Sequence, residues 1–237
     1  MRLITIAFTI IFASPVAAQI AGTAREDCNP LYSVQKRNCK VEHVYRCETG
    51  QGVIWRKENY EPGDPLFVDI LTDEGDLLEA WDETDGKVMQ GIVENRDPVS
   101  LSELRGTGSD QFSQVLQMHF PMFVEPVIAN VSGELIDMGE TLEVDGVVFD
   151  HVRQTLSIQF NAMQMSGFED WFVDRATGAI VFGMNRLESG AAGVTESGTP
   201  VQVIRPGEEG FLENRALYDC GSISDAGQEL DEERKNA

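Results

Sequence analysis

The feature that most constrains this chain is its punctuation. From residue 41 onward, short runs of alternating apolar and polar residues are separated by clusters of Gly, Asp, Asn and Pro. Residues 41–47 stop at Glu48-Thr49-Gly50-Gln51-Gly52, and Val53-Ile54-Trp55 follows. Glu61-Pro62-Gly63-Asp64-Pro65 precedes Leu66-Phe67-Val68-Asp69-Ile70-Leu71, and Asp73-Glu74-Gly75-Asp76 and Thr84-Asp85-Gly86 punctuate what comes next. Gly supplies positive φ and Asp caps the turn with its side chain, so these are hairpin connections. The strongest is Asp145-Gly146. A two-residue turn there sets Val144 opposite Val147, Leu142 opposite Phe149 and Glu140 opposite His151. The strand that leaves it reads unbroken over residues 147–160, roughly 46 Å, a length that belongs to a strongly curved sheet or a barrel.

Residues 98–121 interrupt the pattern. Ser100-Leu101-Ser102-Glu103 fits a capping box with Gly106 as its stop. Ser109 is expected to cap a second helix in which Phe112, Val115, Leu116 and His119 share one face, closed by Pro121. Strands then resume: Trp171-Phe172-Val173 and Ala179-Ile180-Val181-Phe182 flank a turn, and Val201-Gln202-Val203-Ile204 and Ala216-Leu217-Tyr218 are the last candidates. The count is about eleven strands. The fold class is therefore mainly β: a single antiparallel, strongly curved sheet or partly open β-barrel, with one or two short helices covering one face. No Gly-x-Trp opens the first strand, which disfavours a lipocalin barrel. In architecture, without shared motifs, this arrangement resembles the periplasmic lipoprotein carriers of the LolA type, and that resemblance implies a fold, not a ligand.

Residues 1–18 have the composition of a secretory signal peptide. One Arg precedes a mostly apolar run from Leu3 to Phe12, and Pro15 leads into Val16-Ala17-Ala18 before Gln19. The run is too short to span about 30 Å of hydrocarbon, and nothing later reads as a transmembrane segment. The expected organisation is a signal peptide over 1–18, one β-rich domain over 19–222, begun by an irregular polar arm over 19–38, and a disordered acidic tail over 223–237. A periplasmic or secreted location follows. It fits four cysteines, Cys28, Cys39, Cys47 and Cys220, as two disulfides. A strand over 41–46 would hold Cys39 and Cys47 roughly 26 Å apart. Cys28–Cys39 with Cys47–Cys220 is the preferred pairing, and Cys28–Cys47 with Cys39–Cys220 is the second. No Cys-x-x-Cys knuckle supports zinc.

The chain carries 40 Asp and Glu against 18 Lys and Arg, a formal charge of −22. Nucleic acid and anionic lipid surfaces are excluded as partners, because such binding depends on cations displacing counterions. A basic protein partner fits the charge, making an envelope interaction module one alternative function. Carboxylate pairs such as Glu169-Asp170 and Asp73-Glu74-Gly75-Asp76 raise a second alternative, a hydrolase, for which one acid with a raised pKa in an apolar cleft is needed. The sequence singles out no such acid, so no catalytic residue is assigned and the chain is read as a non-enzyme. Asp82-Glu83-Thr84-Asp85-Gly86 lacks the distal Glu of a calcium loop. His43 reads as a strand residue, and Met118-His119-Phe120-Pro121-Met122 with Met163-Gln164-Met165 is too sparse for copper(I). No metal or cofactor is expected. The apolar inventory is more informative. Leu156, Ile158 and Phe160 share a face of the long strand. Met163, Met165 and Trp171 continue it if Asn161-Ala162 forms a bulge, and Phe112, Val115 and Leu116 oppose them from the second helix. These nine residues are the candidate lining of a pocket for an apolar, lipid-like molecule, and the leading expectation is an exported soluble carrier or binding protein.

Overall fold

The computed structural model describes residues 24–50, 52–64, 66–83, 87–119, 125–189, 192–196 and 198–220. The expected signal peptide, the acidic tail and residues 84–86 and 120–122 of the segments weighed for calcium and copper lie outside the described residues. A single 3-10 turn, Arg25–Asp27, leads into a strand succession: β1 (Cys28–Lys36), β2 (Lys40–Thr49), β3 (Gly52–Tyr60), β4 (Phe67–Thr72), β5 (Leu77–Asp82) and β6 (Lys87–Asp97). Helix α1 (Leu101–Thr107) intervenes. Then come β7 (Ser109–Met118), β8 (Val127–Val144), β9 (Val147–Phe160), β10 (Met163–Asp174), β11 (Ile180–Ser189), β12 (Ala192–Glu196) and β13 (Pro200–Ile204). All thirteen strands form one antiparallel meander, with the single exception that β13 returns to pair with β1. The sheet is nearly closed into a barrel with one unsealed seam.

Several elements follow the sequence closely. β9 is unbroken over Val147–Phe160, and Asp145-Gly146 sets Val144 against Val147 and Leu142 against Phe149. Both turn residues have positive φ. The register slips beyond Thr141, so Glu140 meets His151 through side chains, 3.4 Å apart, without a backbone pairing. Ser100 caps α1 by accepting from the Glu103 amide, although the helix runs on to a left-handed Gly108 instead of stopping at Gly106. Leu101 and Leu104 carry it into the main core, against β7 and β8.

Four expectations are corrected. The second helix does not form: residues 109–118 are β7. Its inward positions include Asp110 and Gln114, which donate to or accept from neighbouring loops: Asp110 accepts from the Ser100 amide and Gln114 donates to Asp76. These polar residues on the buried face conceal the alternation. Residues 28–36 are not an arm but β1, which sets Cys28 directly opposite Cys47. The disulfides are accordingly Cys28–Cys47 and Cys39–Cys220, not Cys28–Cys39 and Cys47–Cys220. Cys39 lies in the β1–β2 turn, at the far end of the hairpin from Cys28. By loop entropy the long bridge, spanning 181 positions, contributes about 5 kcal/mol. Residues 216–218 are not a strand either. They belong to an irregular strap over residues 205–220 that crosses the outer face of β1 and β2. There Gln35 donates to the Arg215 carbonyl, the Leu217 amide donates to Gln35, and Ser33 accepts from the Leu212 amide. Buried Ser33, Gln35 and His43 are thus polar residues on an outward face that the strap covers.

Contacts at two places hold β13 and the seam in position. Asp145 at the β8–β9 turn accepts from the Val203 amide and, through its carbonyl, from Arg205. Across the seam, Lys36 donates to the Phe182 carbonyl at 3.0 Å. Gly198 lies so close to β11 that a Cβ there would sit 2.5 Å from the Gly183 carbonyl oxygen, so only glycine permits this approach.

Candidate functional site

The barrel interior is part core and part hollow. Val34, Val44, Trp55, Phe149, Val152, Val173 and Ile180 belong to a continuous apolar cluster. Beside it lies a cavity of about 660 Å³, within the range of small-molecule sites. Inward alternation on successive strands builds its wall: Leu71 from β4, Leu77 from β5, Phe112, Leu116 and Met118 from β7, Val131 from β8, Leu156 and Ile158 from β9, Trp171 from β10. Gly75, with φ of 104°, lets the β4–β5 turn press against Trp171, Ile180 and Val99. The Phe112 ring lies over Gly133 of β8, where a Cβ would strike both the ring and the Thr155 carbonyl. A missing side chain therefore sets where this wall ring can rest.

Of the nine candidate lining residues, the structure brings Phe112, Leu116, Leu156, Ile158 and Trp171 to this cavity. Val115 is buried on the opposite face of β7 from Phe112 and Leu116. Phe160 and Met165 pack in the core, and Met163 is exposed. The reason is that Asn161-Ala162 makes a turn, not a bulge: Met163 and Met165 fold back opposite Phe160 and Ile158.

The cavity also has an acidic end that the sequence reading missed. Asp69 of β4 and Glu169 of β10 face it, with Asn185 and Arg186 of β11 beside them. Asp69 accepts from Asn59 Nδ2 at 2.8 Å, and Glu169 accepts from Trp171 Nε1 at 2.8 Å. Burial pushes both carboxyls above their ordinary range, only partly opposed by the Lys57 ammonium and by these hydrogen bonds. A signal existed: Asp69 alternates with Phe67 and Leu71, and Glu169 with Trp171, so each acid shares a face with apolar neighbours. Glu169, Phe182 and Asn185 also line a smaller groove at the seam, formed with Lys36, Asn59, Tyr60 and Phe67. The acidic end therefore lies where the interior meets the seam.

Glu74, Asp76, Asp170 and Glu83 have structural partners. Glu74 accepts from the Ser102 amide at 2.8 Å at the start of α1, and Asp76 accepts from the Val99 amide and from Asn95. Asp170 points away from Glu169 and binds Arg153 at 2.8 and 3.2 Å. Glu83 accepts from Trp81 Nε1. His43 is held by Ser33 and Asn214, and burial lowers its pKa. Among the described residues no cluster of three or more His, Cys, Asp or Glu is placed to hold a metal ion, and no helix is long and apolar enough to cross a membrane. The two disulfides fit an oxidising compartment. Comparison with protein-family models, with curated proteins and with solved structures finds no match.

Proposed function

We infer that this chain is an exported carrier or binding protein of the cell envelope that holds an apolar, lipid-like small molecule inside its barrel. The observation that carries this reading is the cavity of about 660 Å³ walled by Leu71, Phe112, Leu116, Leu156, Ile158 and Trp171. Native interiors are close-packed and leave few voids larger than a water molecule. A hollow of this size, maintained beside a well-filled core, is a cost in lost dispersion contacts that an occupying apolar ligand would restore. The seam supplies an approach from solvent, since among the described residues no ladder of backbone hydrogen bonds joins β12 to β13. Native mass spectrometry of protein purified without detergent tests the reading. A retained small molecule, or a rise in Tm on adding alkyl-chain compounds, is expected; a ligand-free protein whose melting no such compound changes contradicts it.

A further inference from the structure

We propose that the cavity selects amphiphiles with a cationic, amine-type head, seated between Asp69 and Glu169, with the apolar body in the barrel interior. This rests on the cavity being a ligand site and adds the chemistry of the head.

The argument is one of missing countercharge. A carboxylate taken out of water is paired with a cation, bound to a metal or driven to its neutral form. Glu42 and Glu58, the fully buried glutamates of this end of the sheet, are paired. Glu42 touches Lys36 at 2.9 Å and Lys57 at 3.3 Å, and Glu58 touches Arg56 at 3.0 Å. Asp69 and Glu169 each have one neutral donor and, among the described residues, no cation within ion-pair distance. Of the nearby lysines, Lys36 and Lys57 bind Glu42 and Lys40 binds Glu61 at 3.0 Å; Lys57 also stands opposite Asp69 in the β3–β4 register, so its single charge is shared among several acids. On the cavity wall itself, two carboxylates face one guanidinium, Arg186.

The aromatic setting agrees. Trp171 and Phe182 line the same end, with their rings 5.9 Å apart. Faces of this kind attract ammonium groups. The chain already uses one: Lys57 Nζ lies 2.9 Å from the Phe182 ring centroid. Position agrees as well. Glu169 and Phe182 border both cavity and seam groove, so a polar head would sit at the mouth while its chain fills the apolar interior.

Three probes of equal chain length separate the possibilities: decylamine, decanol and decanoate, titrated calorimetrically into the purified full chain at neutral pH. Decylamine is expected to bind at least about tenfold more tightly than either of the others. Asp69→Asn with Glu169→Gln is expected to erase that ranking while decanol affinity is kept. The wild-type ranking decides the matter even if the double variant does not fold. Decanol or decanoate binding as well as decylamine overturns the head-group assignment and leaves the apolar cavity standing. Failure of all three to bind removes the cavity reading and the assignment with it.

Discussion

Glu42 and Glu169 are both carboxylates within one barrel, yet the chain surrounds them differently. Glu42 is fully buried between the Lys36 and Lys57 ammoniums, and Lys36 goes on to hold the Phe182 carbonyl across the seam. Burial alone would raise its pKa, but the two lysines overcome that and hold it below the usual range. Glu169 receives one indole N–H and burial raises it. On the outer face, Glu58 repeats the first pattern, with Arg56 beside it and the hydroxyls of Tyr45 and Tyr60 donating at 3.1 Å. Self-sufficient clusters of this kind fix the sheet's geometry. A carboxylate left short of charge at the polar end of a largely apolar hollow is a place prepared for something else.

The contrast can be broken by substitution, most strongly at Glu42. Glu42→Gln leaves two buried ammoniums without a counterion and should destabilise by about 3–5 kcal/mol in urea unfolding. A loss under 1 kcal/mol would show that the triad is not the clasp described. Its pH dependence has a definite sign. Because the folded pKa lies below the unfolded one, Glu42 stabilises the native state above the ordinary carboxyl range, and that contribution is lost as pH falls through the depressed value. Glu58→Gln should cost roughly 2 kcal/mol, since Arg56 loses its buried partner while the tyrosines keep an acceptor. Glu169→Gln should act the other way. Its folded pKa is raised, so the native state is penalised as pH rises from the ordinary carboxyl value through the raised one. The variant should melt a few degrees (~3 °C) higher at neutral pH, and the gain should vanish on acidification. A lower Tm at neutral pH would mean that Glu169 is compensated after all. The smallest effect belongs to Trp171→Phe, which removes Glu169's one donor among the described residues and a little packing, at about 1 kcal/mol.

How far these regions were legible depends on which face carried the polar residues. β9 was readable because its inward row, Val152, Leu156, Ile158 and Phe160, is nearly all apolar and a two-residue Asp145-Gly146 turn fixes its start. β7 was not, because Asp110 and Gln114 sit on its buried face; what remained, Phe112, Val115 and Leu116, mimics helical spacing. β1 was hidden for a related reason: Ser33 and Gln35 bury polar groups under a strap that arrives from residues 205–220, far away in sequence. Missing β1 also misdirected the cysteines, since Cys28 can only be placed opposite Cys47 once that hairpin is recognised. Of the pocket, Leu156, Ile158 and Trp171 were visible by alternation, whereas Phe112 and Leu116 were reached through a helical spacing that the structure replaces with β7. The pairing of Asp69 with Glu169 was not, because it depends on how a thirteen-strand meander curls to bring β4 and β10 to one end of the same hollow.

The central claim is that the interior beside Trp171 is empty space kept for a ligand, and Leu156→Phe tests it most directly. In a filled core the added volume would force neighbours apart and cost about 1–3 kcal/mol. In a hollow it should leave urea stability unchanged or raised while abolishing alkyl-chain binding. A destabilised variant that still binds decylamine normally would contradict the account.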